Sequence, residues 1–283
     1  MYHKASVESG PTLRLTPRDA ATESTKRVLS KLGLSEKQAI DLVGTPTDRL
    51  RALQEQMSGT NPMRFGPVVD GNYIPNHPYD PVAPAMSAKI PMIIGTNKDE
   101  TILFFQRGSP EVFSLDEAGM RKRLRTSLGD KTDRIVDVYH HSRPNASPAD
   151  IYIAITTAQF MWNNAIVMAE RKVALHAAPV YMYQFAYESE VPVSPTVPYP
   201  QKAAHAMEMA FKFDHPDNNP DAGKRPERYQ AAKNMSSAWT AFARSGNPGW
   251  PAYTLVERAT MILDAECKVV NDPYREERLV WQS

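Results

Sequence analysis

Short apolar runs alternate along this chain with longer stretches of helical spacing. Residues 2–8 alternate in polarity and stop at Ser9-Gly10-Pro11, the pattern of a short strand entering a turn. Thr22–Leu32 and Ser35–Val43 follow at helical spacing, the second opened by an N-capping serine with Gln38 three residues on. Phe65-Gly66-Pro67-Val68-Val69-Asp70-Gly71, with prolines at 75, 78, 81 and 84, cannot hold a helix because each proline lacks a backbone donor; this stretch predicts an extended crossing. Lys89-Ile90-Pro91-Met92-Ile93-Ile94-Gly95-Thr96-Asn97 contains an unbroken apolar run bounded by proline and glycine. It predicts a strand over 90–96, buried on both faces of a parallel sheet.

Residues 114–178 form a mainly helical insertion: Leu115–Leu128, Ile135–His140, and one or two amphipathic segments within Ser147–Leu175. Val180–Tyr187, rich in β-branched and aromatic residues, predicts another central strand. Val191–Gln201 carries four prolines and reads as an irregular loop. Pro226–Ser245 reads as a helix stopped by Gly246, and Met261-Ile262-Leu263 with Val269-Val270 as a closing hairpin. Alternating strands and helices place the chain in the α/β class, read as one domain over 1–283. Only about three central strands are visible, fewer than the roughly four to six of an ordinary sheet, so the sheet is expected to be partial.

Composition narrows the functional classes. With 283 residues, 42% of them apolar and 23% charged, the chain can bury a sizeable core. Thirty-three basic against 32 acidic side chains leave a charge of +1, so no net field favours nucleic acid or an anionic membrane. No apolar run reaches the roughly 18 residues of a membrane-spanning helix. The lone Cys267 cannot form an intrachain disulfide, which favours a cytoplasmic setting and is also compatible with a bacterial periplasm. Residues 1–10 lack the order of a signal peptide.

In an α/β sheet, reactive groups gather beyond the carboxyl ends of the strands. Strand 90–96 runs into Asn97-Lys98-Asp99-Glu100, and strand 179–187 is followed at a distance by Ala203-Ala204-His205-Ala206-Met207-Glu208. An acid followed by a histidine, in that order, is what an imidazole base needs to be oriented and charge-stabilised. At these residues the sequence resembles the type B carboxylesterase family, which includes para-nitrobenzyl-type esterases and cholinesterases. Ile94-Gly95-Thr96-Asn97-Lys98-Asp99-Glu100 is similar to the family's acid loop, and Ala204-His205-Ala206-Met207-Glu208-Met209-Ala210-Phe211 to its histidine loop. Phe65–Gly71 resembles its Gly-Pro-Val-Asp-Gly crossing. Trp239-Thr240-Ala241-Phe242-Ala243-Arg244-Ser245-Gly246-Asn247-Pro248 and Trp250-Pro251-Ala252-Tyr253 resemble its C-terminal signature.

The resemblance implies a partial α/β-hydrolase fold: C-terminal strands of the central sheet plus mostly helical insertions, with the N-terminal half missing. It implies Glu100 as triad acid and His205 as base, Ser9 hydrogen-bonded behind the acid, and Glu208 buried under the site. Residues 1–10 resemble the strand that follows the nucleophile elbow, and no Gly-x-Ser-x-Gly occurs in the 283 residues. The Gly-rich oxyanion loop is likewise absent. Thr101 and Ala206 stand where glycine often follows the acid and the histidine, and are expected to narrow the site. Ile102, Leu103, Phe104 and Phe105 are candidates for a substrate pocket. Met207, Met209, Phe211 and Phe213 alternate and read as core. His140, His141, His176 and His215 read as surface or helix residues, and Asp214, His215 and Asp217 as a hydrated loop, not a metal site. No cofactor is expected.

The expectation is therefore a serine carboxylesterase acting on a small-molecule carboxylic ester through an acyl-enzyme, lacking its nucleophile here and so inactive alone. The alternative is a non-catalytic interaction module or half of a split esterase, which would associate with a missing N-terminal half or with itself.

Overall fold

The computed structural model describes residues 2–58 and 65–283; Met1, at the head of the family-like opening strand, lies outside them. The chain folds as two compact units, Thr12–Val82 on the one hand and residues 2–11 together with Ala83–Ser283 on the other, a division with no signal in the sequence.

In chain order, β1 (Ala5–Glu8) comes first and belongs to the larger unit. The smaller unit holds β2 (Thr16–Pro17), α1 (Arg18–Leu32), a 3-10 helix over Glu36–Gly44, α2 (Thr47–Ser58) and β3 (Val68–Val69). Gly33 ends α1 in the left-handed region at φ 73°, where a residue without Cβ carries no steric penalty. The capping box between Ser35 and Gln38 forms, but the helix it opens is 3-10 and not α. The expected extended crossing contains β3, paired in parallel with β2.

The larger unit continues with β4 (Met92–Asn97), α3 (Ile102–Gly108), α4 (Glu117–Leu128), α5 (Thr132–Ser142), α6 (Pro148–Thr157) and α7 (Asn163–Val173). Then come β5 (Val180–Phe185), β6 (Ser189–Ser194), β7 (Val197–Lys202), α8 (Glu208–Lys212), α9 (Glu227–Ser245), β8 (Ala259–Leu263), β9 (Lys268–Asn271) and α10 (Arg275–Gln282). Helix starts follow the local chemistry. The Asp116 carboxylate accepts the Gly119 N–H at 2.7 Å at the head of α4, and Ser147 with Asp150 forms a capping box ahead of Pro148 in α6. A π-helical turn over Ala158–Trp162 joins α6 to α7.

The principal sheet has the order β1-β4-β5-β8-β9; the first four strands are parallel and β9 is antiparallel to β8. The expectation of about three strands is thereby corrected, because β8 and β9 are not a separate closing hairpin but extend the sheet. Every residue of β4 and β5 is buried. Covering Ile93 and Ile94 completely contributes about 1.5–3 kcal/mol for each side chain. On one face the core gathers Tyr183, Phe185, Phe211, Met235 and Phe242.

The proline-rich stretch 191–201 is not an irregular loop but an antiparallel ribbon, β6 with β7, in which Pro192 lies opposite Pro200. Prolines cannot donate to a ladder, yet a two-stranded ribbon has outer edges where no donor is required, and the register shifts absorb the rest. Helix α10 gives no signal in the sequence pattern because its centre is charged. Glu277 and Arg278 are nonetheless buried, and Glu277 receives a bidentate Arg143 at 2.7 and 2.9 Å and the Ser142 hydroxyl at 2.6 Å. The basic run at 121–125 is offset by acids: Arg121 pairs with Glu117, Asp133 and Asp137, and Arg123 with Glu111.

Gly95 on β4 lies against Tyr183 so closely that an added Cβ would overlap both the Tyr183 carbonyl and its ring. Gly95→Ala is therefore expected to destabilise the larger unit by about 3 kcal/mol or more, because the obstacle is the backbone of a paired strand. Urea unfolding of the variant against the parent checks this.

Candidate active site

Strands β4 and β5 run parallel with Asn97 opposite Phe185, so both release their following loops at the same edge of the sheet. Lys98 N–H bonds across to Phe185 O of β5 at 2.9 Å, and the turn that begins there presents Asp99 and Glu100. The second loop, 203–207, arrives after the β6–β7 ribbon and lies against the first. Asp99 N–H donates to Ala203 O at 3.1 Å, and His205 N–H to Glu100 O at 3.3 Å.

Glu100 is fully buried, and the two oxygens of its carboxylate have separate partners. Oε1 accepts the Asn97 backbone N–H at 2.7 Å; Oε2 lies 2.6 Å from His205 Nδ1. An ionised carboxylate only accepts, so Nδ1 carries the proton and the neutral imidazole keeps its lone pair on Nε2. The imidazole side chain is 30% exposed, while its partner is 0% exposed. The bond to Glu100 raises the pKa of His205 above the ordinary histidine value; burial opposes this, and the charges of Glu100 and Glu208 add to it.

Beneath the pair, Glu208 at the head of α8 is buried and accepts a hydrogen bond from Asn97 Nδ2, which also donates to Ala204 O at 2.7 Å. Burial pushes the Glu208 carboxyl up, with the nearby Glu100 charge adding to the effect. Ser9 adopts φ 56° and donates its backbone N–H to Gly95 O at 2.9 Å. Its buried Oγ has no partner among the described residues, so the expected bond behind the acid is not made.

Thr101 does not narrow the site. Its hydroxyl points the other way, 2.8 Å from Thr156 Oγ1 and 3.3 Å from Ile153 O, and ties the acid loop to α6. Ala206 takes φ 66°, the left-handed region that favours glycine, and a Cβ there costs roughly 1–2 kcal/mol. Of the expected pocket residues, Ile102 is instead core, packed with Phe113, Ile153, Val193 and Ala204. Leu103 is half-buried, and Phe105 packs on Tyr152 with ring centroids 5.3 Å apart. Phe104 meets the imidazole, at 5.1 Å between ring centroids, and remains 43% exposed. The alternation at 207–213 divides in two: Met207 and Phe211 are core, while Met209 and Phe213 are exposed, because helical spacing operates there and not strand spacing. The carboxylate of Asp217 is taken by Arg228 and the Tyr229 hydroxyl.

Sequence reasoning passes over Asn97 as a functional residue. The signal lies in its place as the last residue of a buried strand, where an amide requires partners.

The chain is similar to known proteins along nearly its whole length. The Carboxylesterase family matches residues 1–281. Para-nitrobenzyl esterase of Bacillus subtilis (strain 168) is 32% identical over 98% of the chain and 56% of its own length. A medium-chain fatty acyl-CoA hydrolase precursor of Anas platyrhynchos is 27% identical over 91% of the chain and 49% of its own length. The crystal structure of the Geobacillus stearothermophilus carboxylesterase EST55 superposes with a TM-score of 0.80 at 31% identity, over 99% of this chain and 58% of that one. The chain thus spans about half the length of the curated relatives it matches, within the α/β-hydrolase fold. On the strength of a match that runs along nearly its whole length, the chain belongs to the carboxylesterase family.

Proposed function

We propose that the chain carries the acid and the base of a serine carboxylesterase that cleaves a small-molecule carboxylic ester through an acyl-enzyme, and that its nucleophile is supplied from outside these residues. The 2.6 Å contact between His205 Nδ1 and Glu100 Oε2, at the carboxyl edge of parallel strands, supports this reading most directly. In such a reaction Nε2 of His205 removes the hydroxyl proton of a serine as it attacks the ester carbonyl, then returns a proton to the departing alcohol. Glu100 keeps the imidazole in the Nδ1–H tautomer and stabilises the imidazolium. Glu208 acts behind the pair through Asn97, and Phe104 and Leu103 border the substrate. Without a Gly-x-Ser-x-Gly elbow or an oxyanion loop in the 283 residues, the isolated chain has no serine on an elbow for His205 to activate and is inactive alone.

A second reading, half of a split esterase or a non-catalytic interaction module, draws on the position of β1. It is the edge strand of the sheet, with β4 on one side and no strand on the other among the described residues. Unpaired edges invite association.

Purified chain should hydrolyse p-nitrophenyl acetate at the buffer rate, unchanged by His205→Ala; turnover that His205→Ala abolishes would show a nucleophile within the chain. Light scattering addresses the second reading, which expects self-association or capture of an esterase N-terminal half, and a stable monomer indifferent to that half would dismiss it. The acid–base pair also sets a pH dependence. Because the folded pKa of His205 is raised, its contribution to stability is fully present below the ordinary value of 6.5 and declines as pH rises through the folded pKa. Denaturant midpoints across that interval should fall in the parent and flatten in His205→Gln.

A further inference from the structure

The acid loop and the histidine loop meet through more than the Glu100–His205 bond, and the shorter of the additional contacts converge on Asn97. The residue is fully buried at the end of β4. Its backbone N–H holds Glu100 Oε1 at 2.7 Å, which leaves Oε2 to the imidazole. Its side-chain nitrogen reaches the other way, to Ala204 O at 2.7 Å and to Glu208 Oε2. The remaining links between the loops are longer: Asp99 N–H to Ala203 O at 3.1 Å, His205 N–H to Glu100 O at 3.3 Å, and Ala203 N–H to Asp99 Oδ2 at 3.4 Å. Short bonds to carboxylates outweigh long ones, so the docking of the two loops is concentrated on this one amide.

The amide can point only one way. Its nitrogen has two protons and both are committed, while Oδ1 has no partner among the described residues. A flipped side chain would set Oδ1 against a carbonyl and a carboxylate, and would leave both acceptors buried without this donor. Asn97 therefore has a fixed rotamer that grips the residue before His205 and the buried carboxylate three residues after it.

We propose that Asn97 is a positioning residue, which docks the histidine loop on the acid loop and so sets where the imidazole stands relative to Glu100. The proposal rests on the reading of Glu100 and His205 as the working pair, but its effect is legible without turnover.

Solution NMR of the 283-residue chain reads the imidazole directly, through the Nδ1–H resonance and the titration midpoint of His205. Asn97→Leu keeps the branching and the number of heavy atoms of the side chain, removes both side-chain donors and keeps the backbone N–H to Glu100. Its expected result is loss of the Nδ1–H resonance to exchange broadening and a downward shift of the midpoint toward the ordinary histidine value. Thr101→Val serves as the control on the same loop: it cuts the hydroxyl bonds to α6, and should lower the melting temperature while leaving both His205 readouts in place. If Asn97→Leu lowers the melting temperature yet leaves the His205 resonance and midpoint unmoved, Asn97 only packs and the proposal fails. It fails equally if Thr101→Val moves them as far. Should the leucine variant not fold, Asn97→Ser, smaller and with a single donor, decides by the same readouts: a moved midpoint supports docking, an unmoved one refutes it. A failed ester assay leaves these readouts untouched, so the two readings fall separately.

Discussion

The parallel register of β4 on β5 is the constraint from which the rest of the larger unit follows. It places Asn97 opposite Phe185, so that the acid loop and the long excursion toward the histidine leave the sheet at one edge. The register holds because both strands are buried throughout, and Gly95 lets Tyr183 pack directly against its backbone. A slip of one residue would set a side chain where only Gly95 fits against Tyr183, so packing in the interior fixes the positions of polar groups it never touches.

Beyond that edge the structure buries charge, which is tolerable only where partners are arranged beforehand. Glu100 receives a backbone N–H and an imidazole, and Glu208 receives an amide. Two carboxylates near one imidazole hold it toward the protonated form. That would suit the base of the proposed reaction, which must bear charge at mid-reaction and be supported while it does. The loops themselves are anchored outward, the acid loop by Thr101 to α6 and by Lys98 to Glu188. The acid loop is thus tied on two sides beyond its contacts with the histidine loop, and Ala206 in that second loop takes strained backbone.

The central strands, the long helix α9 and the loops with Glu100 and His205 are all legible in the sequence, because each rests on a local signal: an apolar run between breakers, a periodic face ended by glycine, a motif at a strand end. The ribbon β6–β7 is not, since its prolines are harmful in most strands and harmless at a free ribbon edge. Helix α10 hides behind its charges, and the partners of the buried Glu277, Arg143 and Ser142, lie more than a hundred residues away. Ile102 and Phe104 look equivalent two residues apart. Their separation into core and imidazole neighbour depends on the rotation of α3 against Phe113 and Ile153.

By itself, then, the sequence determined the family, the α/β class, which acid and which histidine are candidates for a pair, and the absence of a serine elbow among these residues. Those are properties of residue type and spacing, which local chemistry constrains. The tertiary structure alone decided that Asn97 joins the two loops, that Thr101 faces away from the site, that Ser9 lacks its expected bond, and that Phe104 lies on the imidazole. Each of these depends on side-chain direction across contacts between segments far apart in the chain, 55 positions for Thr101 and 107 for Asn97, where no periodicity reports and only packing and hydrogen-bond satisfaction select the outcome.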